Sequence, residues 1–363
     1  MHNLLSLDGG GTRGVFSIQV LKRMEQLLRQ NYGRDNFVLA DHFDFIGGTS
    51  TGAIIAALLS WGETMETVER FYLDQAKKVF AKRTWLKVFR YKFHAHELEN
   101  LLRNHFSDDD ESGQKTPALL GSKKLRTLYL CVMRNATTGA PWIITNSPHG
   151  MWNQGYRDDN NLKIPLYQLI RASTAAPVYF EPQEIEATDQ KKWMFIDGAI
   201  TPYNNPAFIM YLTATQSCYG NNWKDGTDQM RIVSVGTARR RVKFTKLRSS
   251  QINVGDQVAH SLLALIDSNN QQQDMLCRTF GYCLWGEPID SEVGDLIAKE
   301  LPPPPVHKRF LYTRYNHNLT PDELKSIQYI PDFFNVDSLS GIPFWQEVGQ
   351  SFAEKAVQIE HLM

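Results

Sequence analysis

The chain has 363 residues, 42% of them hydrophobic and 11% aromatic, with a formal net charge of zero. That length and composition suit one large α/β domain, or a domain with a substantial appendage, and supply enough apolar surface for a sizeable core. Zero net charge excludes a global field toward nucleic acid or anionic membranes, so any such attraction is local. Four sparse cysteines (Cys131, Cys218, Cys277, Cys283) lack metal-site spacing and read as reduced thiols, with Cys277 and Cys283 weighed as a redox pair and set aside. Met1 to Leu5 lacks a secretory-signal pattern, and no uncharged apolar run nears the roughly 20 residues of a membrane span. The expectation is a cytoplasmic protein that meets any lipid from the water side.

Leu4 to Leu7 reads as a buried parallel strand. The loop Asp8-Gly9-Gly10-Gly11-Thr12-Arg13-Gly14 follows. Val15, Ile18, Leu21, Met24 and Leu28 then recur at helical spacing. Phe43 to Ile46 is a second strand, Gly48-Thr49-Ser50-Thr51-Gly52 a second glycine turn, and Ala53 to Leu59 a buried helix. This opening predicts a parallel sheet with covering helices. Between Asp74 and Glu97 stand seven Lys or Arg and no acid, interleaved with Phe80, Trp85, Phe89, Tyr91 and Phe93. Such a mixture suits a membrane interface, with Trp85 and Phe89 as contacts, and equally a packed cap with solvated cations. Strands are expected at 125–133, 142–145, 193–196 and 231–235, and a helix at 164–172. Past about residue 245 the strand pattern fades into a polar stretch (Ser268 to Gln273), four prolines (Pro302 to Pro305) and an amphipathic helix from about Phe344.

Gly-x-Ser-x-Gly between a strand and a helix is a nucleophile-elbow pattern, with Ser50 at a helix N-terminus. The first loop also satisfies Gly-x-Gly-x-x-Gly, the dinucleotide fingerprint. A ribose-binding acid is needed after the second strand, and Ile46-Gly47-Gly48-Thr49-Ser50 stands there instead. Successive glycines form a nest of N–H groups that receives an oxyanion as readily as a phosphate. The loop is therefore assigned to an oxyanion hole. A serine nucleophile needs a base. His260, His307, His317 and His361 occupy no glycine-flanked strand end. Asp197, in Phe195-Ile196-Asp197-Gly198-Ala199, stands just past a strand and is the better candidate. Asp108-Asp109-Asp110-Glu111 lacks the spacing of a calcium loop and reads as solvated.

With these residues the chain resembles the patatin-like phospholipase family. Asp8 to Gly14 is similar to its Asp-Gly-Gly-Gly-x-Arg/Lys-Gly loop, carrying Gly9 and Gly14, and Gly48 to Gly52 to its elbow. Arg171-Ala172-Ser173-Thr174-Ala175-Ala176-Pro177, Asp197-Gly198-Ala199 and Ser234-Val235-Gly236-Thr237 resemble its later blocks, in the family's order. The resemblance implies a three-layer α/β/α fold with a mostly parallel sheet, and a Ser50–Asp197 dyad without metal or cofactor. It also implies that the N–H groups of Gly10, Gly11 and Arg13 hold the oxyanion, helped by Thr51. The expected organisation is a catalytic domain over 1–245, with a basic-aromatic cap at about 74–106, and a mostly helical extension over 246–363. The chain departs from the family where Ala238-Arg239-Arg240-Arg241 follows Gly236-Thr237. Its layout resembles bacterial patatin-like effectors of cyclic-nucleotide antiphage signalling. That implies a cyclic di- or trinucleotide activator, homo-oligomerisation on activation, action at the inner membrane surface and no DNA or RNA duplex as partner. Arg239, Arg240, Arg241 and Lys243 are the basic residues weighed for the activator, against an oligomer contact or a solvated loop. Two alternatives were an unregulated lipid acyl hydrolase and a non-hydrolytic nucleotide-binding protein using Gly9 to Gly14.

Overall fold

In a computed structural model, the described residues are 1–80, 95–110, 112–156, 159–186, 192–239, 254–296, 307–327 and 337–363. The first half runs β1 (His2–Leu7), α1 (Gly14–Tyr32), β2 (Phe45–Thr49), α2 (Thr51–Ser60), α3 (Met65–Phe80) and α4 (Ala95–His105). Next come β3 (Ser107–Asp109), β4 (Lys115–Pro117), β5 (Leu128–Asn135), β6 (Pro141–Thr145) and α5 (Leu166–Ser173). The second half holds β7 (Gln183–Glu186), β8 (Lys192–Asp197), α6 (Ala207–Thr215), β9 (Met230–Val235) and α7 (Val254–Phe280). It ends with β10 (Tyr282–Gly286), β11 (Leu311–Tyr315), α8 (Pro321–Ser326) and α9 (Ile342–Ala356).

Nine of these strands form one sheet, in the order β10-β11-β9-β1-β2-β5-β8-β7, with β6 also on β5. From β10 to β5 every pairing is parallel. Period-two alternation gives the sheet two buried faces. Leu5, Leu7, Ile46, Tyr129, Cys131, Val233 and Val235 point into a core shared with α1, α2, α5 and α9. Leu4, Phe45, Leu130, Val132, Met230 and Ile232 point the other way, onto Ala207, Met210 and Ala214 of α6 and Cys277 of α7. The result is the expected three-layer α/β/α arrangement. No helix among the described residues is long and apolar enough to cross a membrane. Of the acidic stretch, Asp108 to Asp110 lie at a small hairpin of β3 and β4, where Asp110 accepts from the amides of Ser112 and Gln114, and Glu111 lies outside the described residues.

The C-terminal part differs from the expectation in one respect. The helices α7, α8 and α9 are there, and the polar stretch Ser268 to Gln273 lies within α7, with Gln273 buried. The same region also supplies β10 and β11, which extend the parallel sheet beyond β9. The reason is visible in β11: Leu-Tyr-Thr-Arg-Tyr is a β-prone run, but its arginine reads as solvent-facing. That arginine is buried instead. Arg314 donates to both carboxylate oxygens of Asp8, at 2.8 and 2.5 Å, and to Ser234 Oγ at 2.7 Å. Both side chains of the pair are 3% exposed. Burial opposes the guanidinium charge, but Asp8 outweighs it and holds the Arg314 pKa above its ordinary value. A bidentate pair thus ties the last parallel strands to the residue that opens the glycine loop.

Removing one member of a buried pair strands the other charge, at a cost of about 3–5 kcal/mol. Arg314→Met is expected to lose that much stability in urea unfolding, while Asp8→Leu combined with Arg314→Met recovers most of it. A single-variant loss below about 1 kcal/mol would show that the pair does not tie the sheet to the loop.

Candidate active site

The site begins with three strands on one ruler. β5 pairs with β6 through Leu130 to Arg134, with β2 through Leu128 to Val132, and with β8 through Met133 to Asn135. A strand has two edges, and β6 overlaps both other partners, so β2 and β8 share the opposite edge. β2 runs parallel to β5 and β8 antiparallel, so their C-terminal ends meet. Thr49 is opposite Val132 and Asp197 opposite Met133, the next residue along. Ser50 follows Thr49, so strand register alone delivers serine and aspartate to one point.

Local chemistry completes the turn. Ser50 has φ 54° and ψ −126°, a conformation costly for a residue with a side chain and typical of an elbow. Its neighbours must lack Cβ: one on Gly48 would stand 2.1 Å from the Gly52 carbonyl oxygen, and one on Gly52 2.4 Å from that of Leu7. The Ser50 amide donates to Ser173 Oγ at 2.9 Å, and Ser173 donates to the Val132 carbonyl at 2.5 Å. The hydroxyl of Ser50 donates to Asp197 Oδ2 at 2.7 Å. Asp197 Oδ1 accepts from the Ala199 amide at 2.7 Å, and the Asp197 amide donates to the Ala175 carbonyl at 3.0 Å. Asp197 is 2% exposed and Ser50 8%. Burial pushes the Asp197 carboxyl up to about 6, against the opposing hydrogen bonds from Ala199 and Ser50.

The glycine loop closes on this pair. A Cβ on Gly9 would lie 3.0 Å from Ser50 Cβ and 2.4 Å from Asn204 Oδ1. Of the four amides expected to face an oxyanion, Gly10 donates to Thr51 Oγ1 at 3.2 Å and Arg13 to the Gly10 carbonyl at 3.3 Å. Those of Gly11 and Thr51 have no acceptor among the described contacts. Gly11 sits at φ 59°, and its carbonyl accepts from Tyr72 Oη at 2.5 Å. Two of the histidines weighed as bases are engaged elsewhere: His317 between Glu287 (2.8 Å) and Glu323 (3.0 Å), and His361 with Tyr315 Oη (2.7 Å).

A family model described as patatin-like phospholipase matches residues 5–211. The chain belongs to the patatin-like phospholipase family. It is 30% identical over 213 residues to a cGAMP-activated phospholipase of Vibrio cholerae, covering 57% of this chain and 56% of the relative. It is 32% identical over 206 residues to a cGAMP-activated phospholipase of Escherichia coli, covering 57% and 54%. The chain thus matches about half the length of these relatives. Among solved structures it is similar to VipD from Legionella pneumophila, at 12% identity and a TM-score of 0.37, covering 98% of this chain and 67% of that one.

The remaining sequence expectations separate clearly. Ser50, Asp197 and the glycines of both loops come together. Arg239 is described, but its guanidinium is engaged internally, by Asp267 at 2.8 Å and by the Ile289 carbonyl. Trp85, Phe89, Arg240, Arg241 and Lys243 lie outside the described residues. Three contributors carried no site role in the sequence reading: Ser173, which caps the elbow amide, Tyr72, which braces Gly11, and Arg314. For Ser173 a signal existed, since it belongs to the quoted Arg-Ala-Ser block. Tyr72 is one aromatic on an amphipathic helix, and nothing in the sequence sets it apart.

The raised Asp197 pKa has a sign. Between about pH 4 and pH 6 the folded chain holds this proton and the unfolded chain has lost it, so stability falls as pH rises through that window. The full effect is about 3 kcal/mol. Asp197→Asn, which never ionises, is expected to be more stable than the parent chain at pH 8, with the gap closing toward pH 4 in urea unfolding. A gap independent of pH would mean that Asp197 is not held in a depleted, desolvated site.

Proposed function

We propose that this chain hydrolyses fatty-acyl esters of membrane phospholipids, with Ser50 as nucleophile and Asp197 as its base. The observation that carries this reading is the 2.7 Å hydrogen bond from Ser50 Oγ to a buried Asp197 whose carboxyl burial pushes up to about 6. Ser50 Oγ attacks the ester carbonyl carbon and its proton passes to Asp197. The carbonyl oxygen becomes an oxyanion facing the amides of Gly11 and Thr51, beside the positive end of the α2 dipole. Collapse breaks the bond to the lysophospholipid oxygen, which takes the proton back from Asp197. Water then attacks the acyl-Ser50 ester and gives its proton to Asp197. Fatty acid leaves, and the proton returns to Ser50. Every proton in the cycle moves between oxygen atoms of Ser50, Asp197, water and substrate.

The name shared by the relatives of Vibrio cholerae and Escherichia coli supports a switch. In this reading cGAMP, or a related cyclic nucleotide, activates the chain as part of antiphage defence. The enzyme then assembles into homo-oligomers and works peripherally at the cytoplasmic face of the inner membrane. The pairing of β11 with β9, and of Arg314 with Asp8, favours the described part of 246–363 as integral to the catalytic fold rather than an appendage.

Phospholipid vesicles with and without cGAMP test the whole reading. Fatty-acid release by the parent chain is expected to rise on adding cGAMP, with kcat/KM climbing through about pH 6 to an alkaline plateau as Asp197 ionises. Ser50→Ala is expected to lose about 10⁴-fold or more. Full activity in Ser50→Ala would remove the nucleophile, and equal rates with and without cGAMP would remove the switch.

A further inference from the structure

The amide of Gly11 is aimed by a contact outside the glycine loop. In a trans peptide the carbonyl of one residue and the N–H of the next point in opposite directions, and no peptide among the described residues is cis. Holding the Gly10 carbonyl therefore fixes the direction of the Gly11 N–H. Arg13 holds it twice, through its own amide and through Nε, both at 3.3 Å. The far end of the same guanidinium is also fixed: Nη1 donates to the Ala238 carbonyl at 3.3 Å. Arg13 is a bridge between the oxyanion loop and the turn that follows β9.

That turn is itself firmly set. Ala238 is 4% exposed and has φ 60°, a left-handed conformation that is costly for a residue with a side chain. Surrounding contacts impose it. Ser17 Oγ donates to the Gly236 carbonyl at 2.7 Å. Thr237 packs so closely on the loop that a Cβ on Gly10 would stand 2.3 Å from its Oγ1. Arg239 donates through its amide to the His317 carbonyl at 2.7 Å and accepts from the Leu319 amide at 2.9 Å. Its guanidinium meets Asp267 of α7. The Ala238 carbonyl is thus located by elements from the C-terminal third of the chain.

We propose that Arg13 is a positioning residue for the oxyanion hole. Its guanidinium transmits the position of the turn at 236–239, and with it that of α7 and the β11 exit, to the Gly11 amide. This rests on the serine-hydrolase reading above. It also gives the C-terminal third a physical line to the catalytic chemistry, ending on a single carbonyl.

The test is the rate at which a fluorophosphonate labels Ser50, per folded molecule, because phosphonylation uses the same nucleophile and the same developing oxyanion. Arg13→Met removes both side-chain hydrogen bonds and is expected to slow labelling about 10- to 100-fold. Hydrolysis of a phospholipid and of a neutral soluble ester should fall equally in kcat, with KM and the pH midpoint unchanged. Arg13→Lys reaches one carbonyl but not both, and is expected to recover part of the rate. Should Arg13→Met fail to fold, Arg13→Lys carries the test alone, with a severalfold loss expected. Unchanged labelling per folded molecule would reduce Arg13 to a stabilising contact and overturn the inference. A loss confined to KM for phospholipid would make Arg13 a headgroup contact and overturn it equally. Absence of labelling in the parent chain both with and without cGAMP, or persistent labelling in Ser50→Ala, would remove the serine-hydrolase reading and this inference with it.

Discussion

Everything at the site depends on β5 serving two strands along one edge. β2 arrives parallel and stops at Val132, while β8 arrives antiparallel and stops at Met133. Because they approach head to head, the residues at their ends are neighbours although 147 positions separate them in the chain. Backbone hydrogen bonding sets the distance between Ser50 and Asp197, and side chains only refine it. Parallel pairing from β10 through to β5 puts that junction at the C-terminal edge of the sheet, where open α/β folds place their ligands. The strain at Ser50 is held there by the sheet below and by the Ser173 cap beside it.

The second constraint is electrostatic. Asp197 stands in a desolvated place with one amide and one hydroxyl as donors, and burial pushes its carboxyl up to about 6. A carboxylate so placed can take a proton from serine and return it to a leaving oxygen. The buried Asp8–Arg314 pair plays the opposite role. It is matched, bidentate and shielded, so it anchors the glycine loop without joining the chemistry. Two buried aspartates thus differ in what faces each: a full cation for one, a neutral hydroxyl for the other.

Much of this was legible in the sequence because the site is built from close approaches that only glycine permits. Gly48, Gly52 and Gly9 sit where backbone meets backbone or side chain within 2.1 to 2.4 Å of a would-be Cβ, so the spacing of glycines records the shape of the site. Short apolar runs marked the parallel strands up to β9 in the same way. β10 and β11 were not legible, because Tyr282 is exposed at the sheet's edge and Arg314 puts a charge in the middle of a strand. β11 finds its partner about 80 residues upstream, at Arg231 to Val235, and β10 then pairs with β11. Ser173, Tyr72 and the grip of Arg13 on Ala238 are likewise long-range contacts, made through residue types that carry no spacing signal of their own.

The claim at the centre is that Ser50, delivered to Asp197 by the register on β5, forms a covalent bond to the acyl group. It is tested most directly by quenching the cGAMP-treated enzyme in acid during turnover of a phospholipid of single acyl composition, followed by peptide mass spectrometry. The mechanism predicts a peptide heavier by one fatty-acyl group, with the modification on Ser50 and absent from Ser50→Ala. Steady hydrolysis with an acyl group on another residue, or persisting in Ser50→Ala, would contradict it.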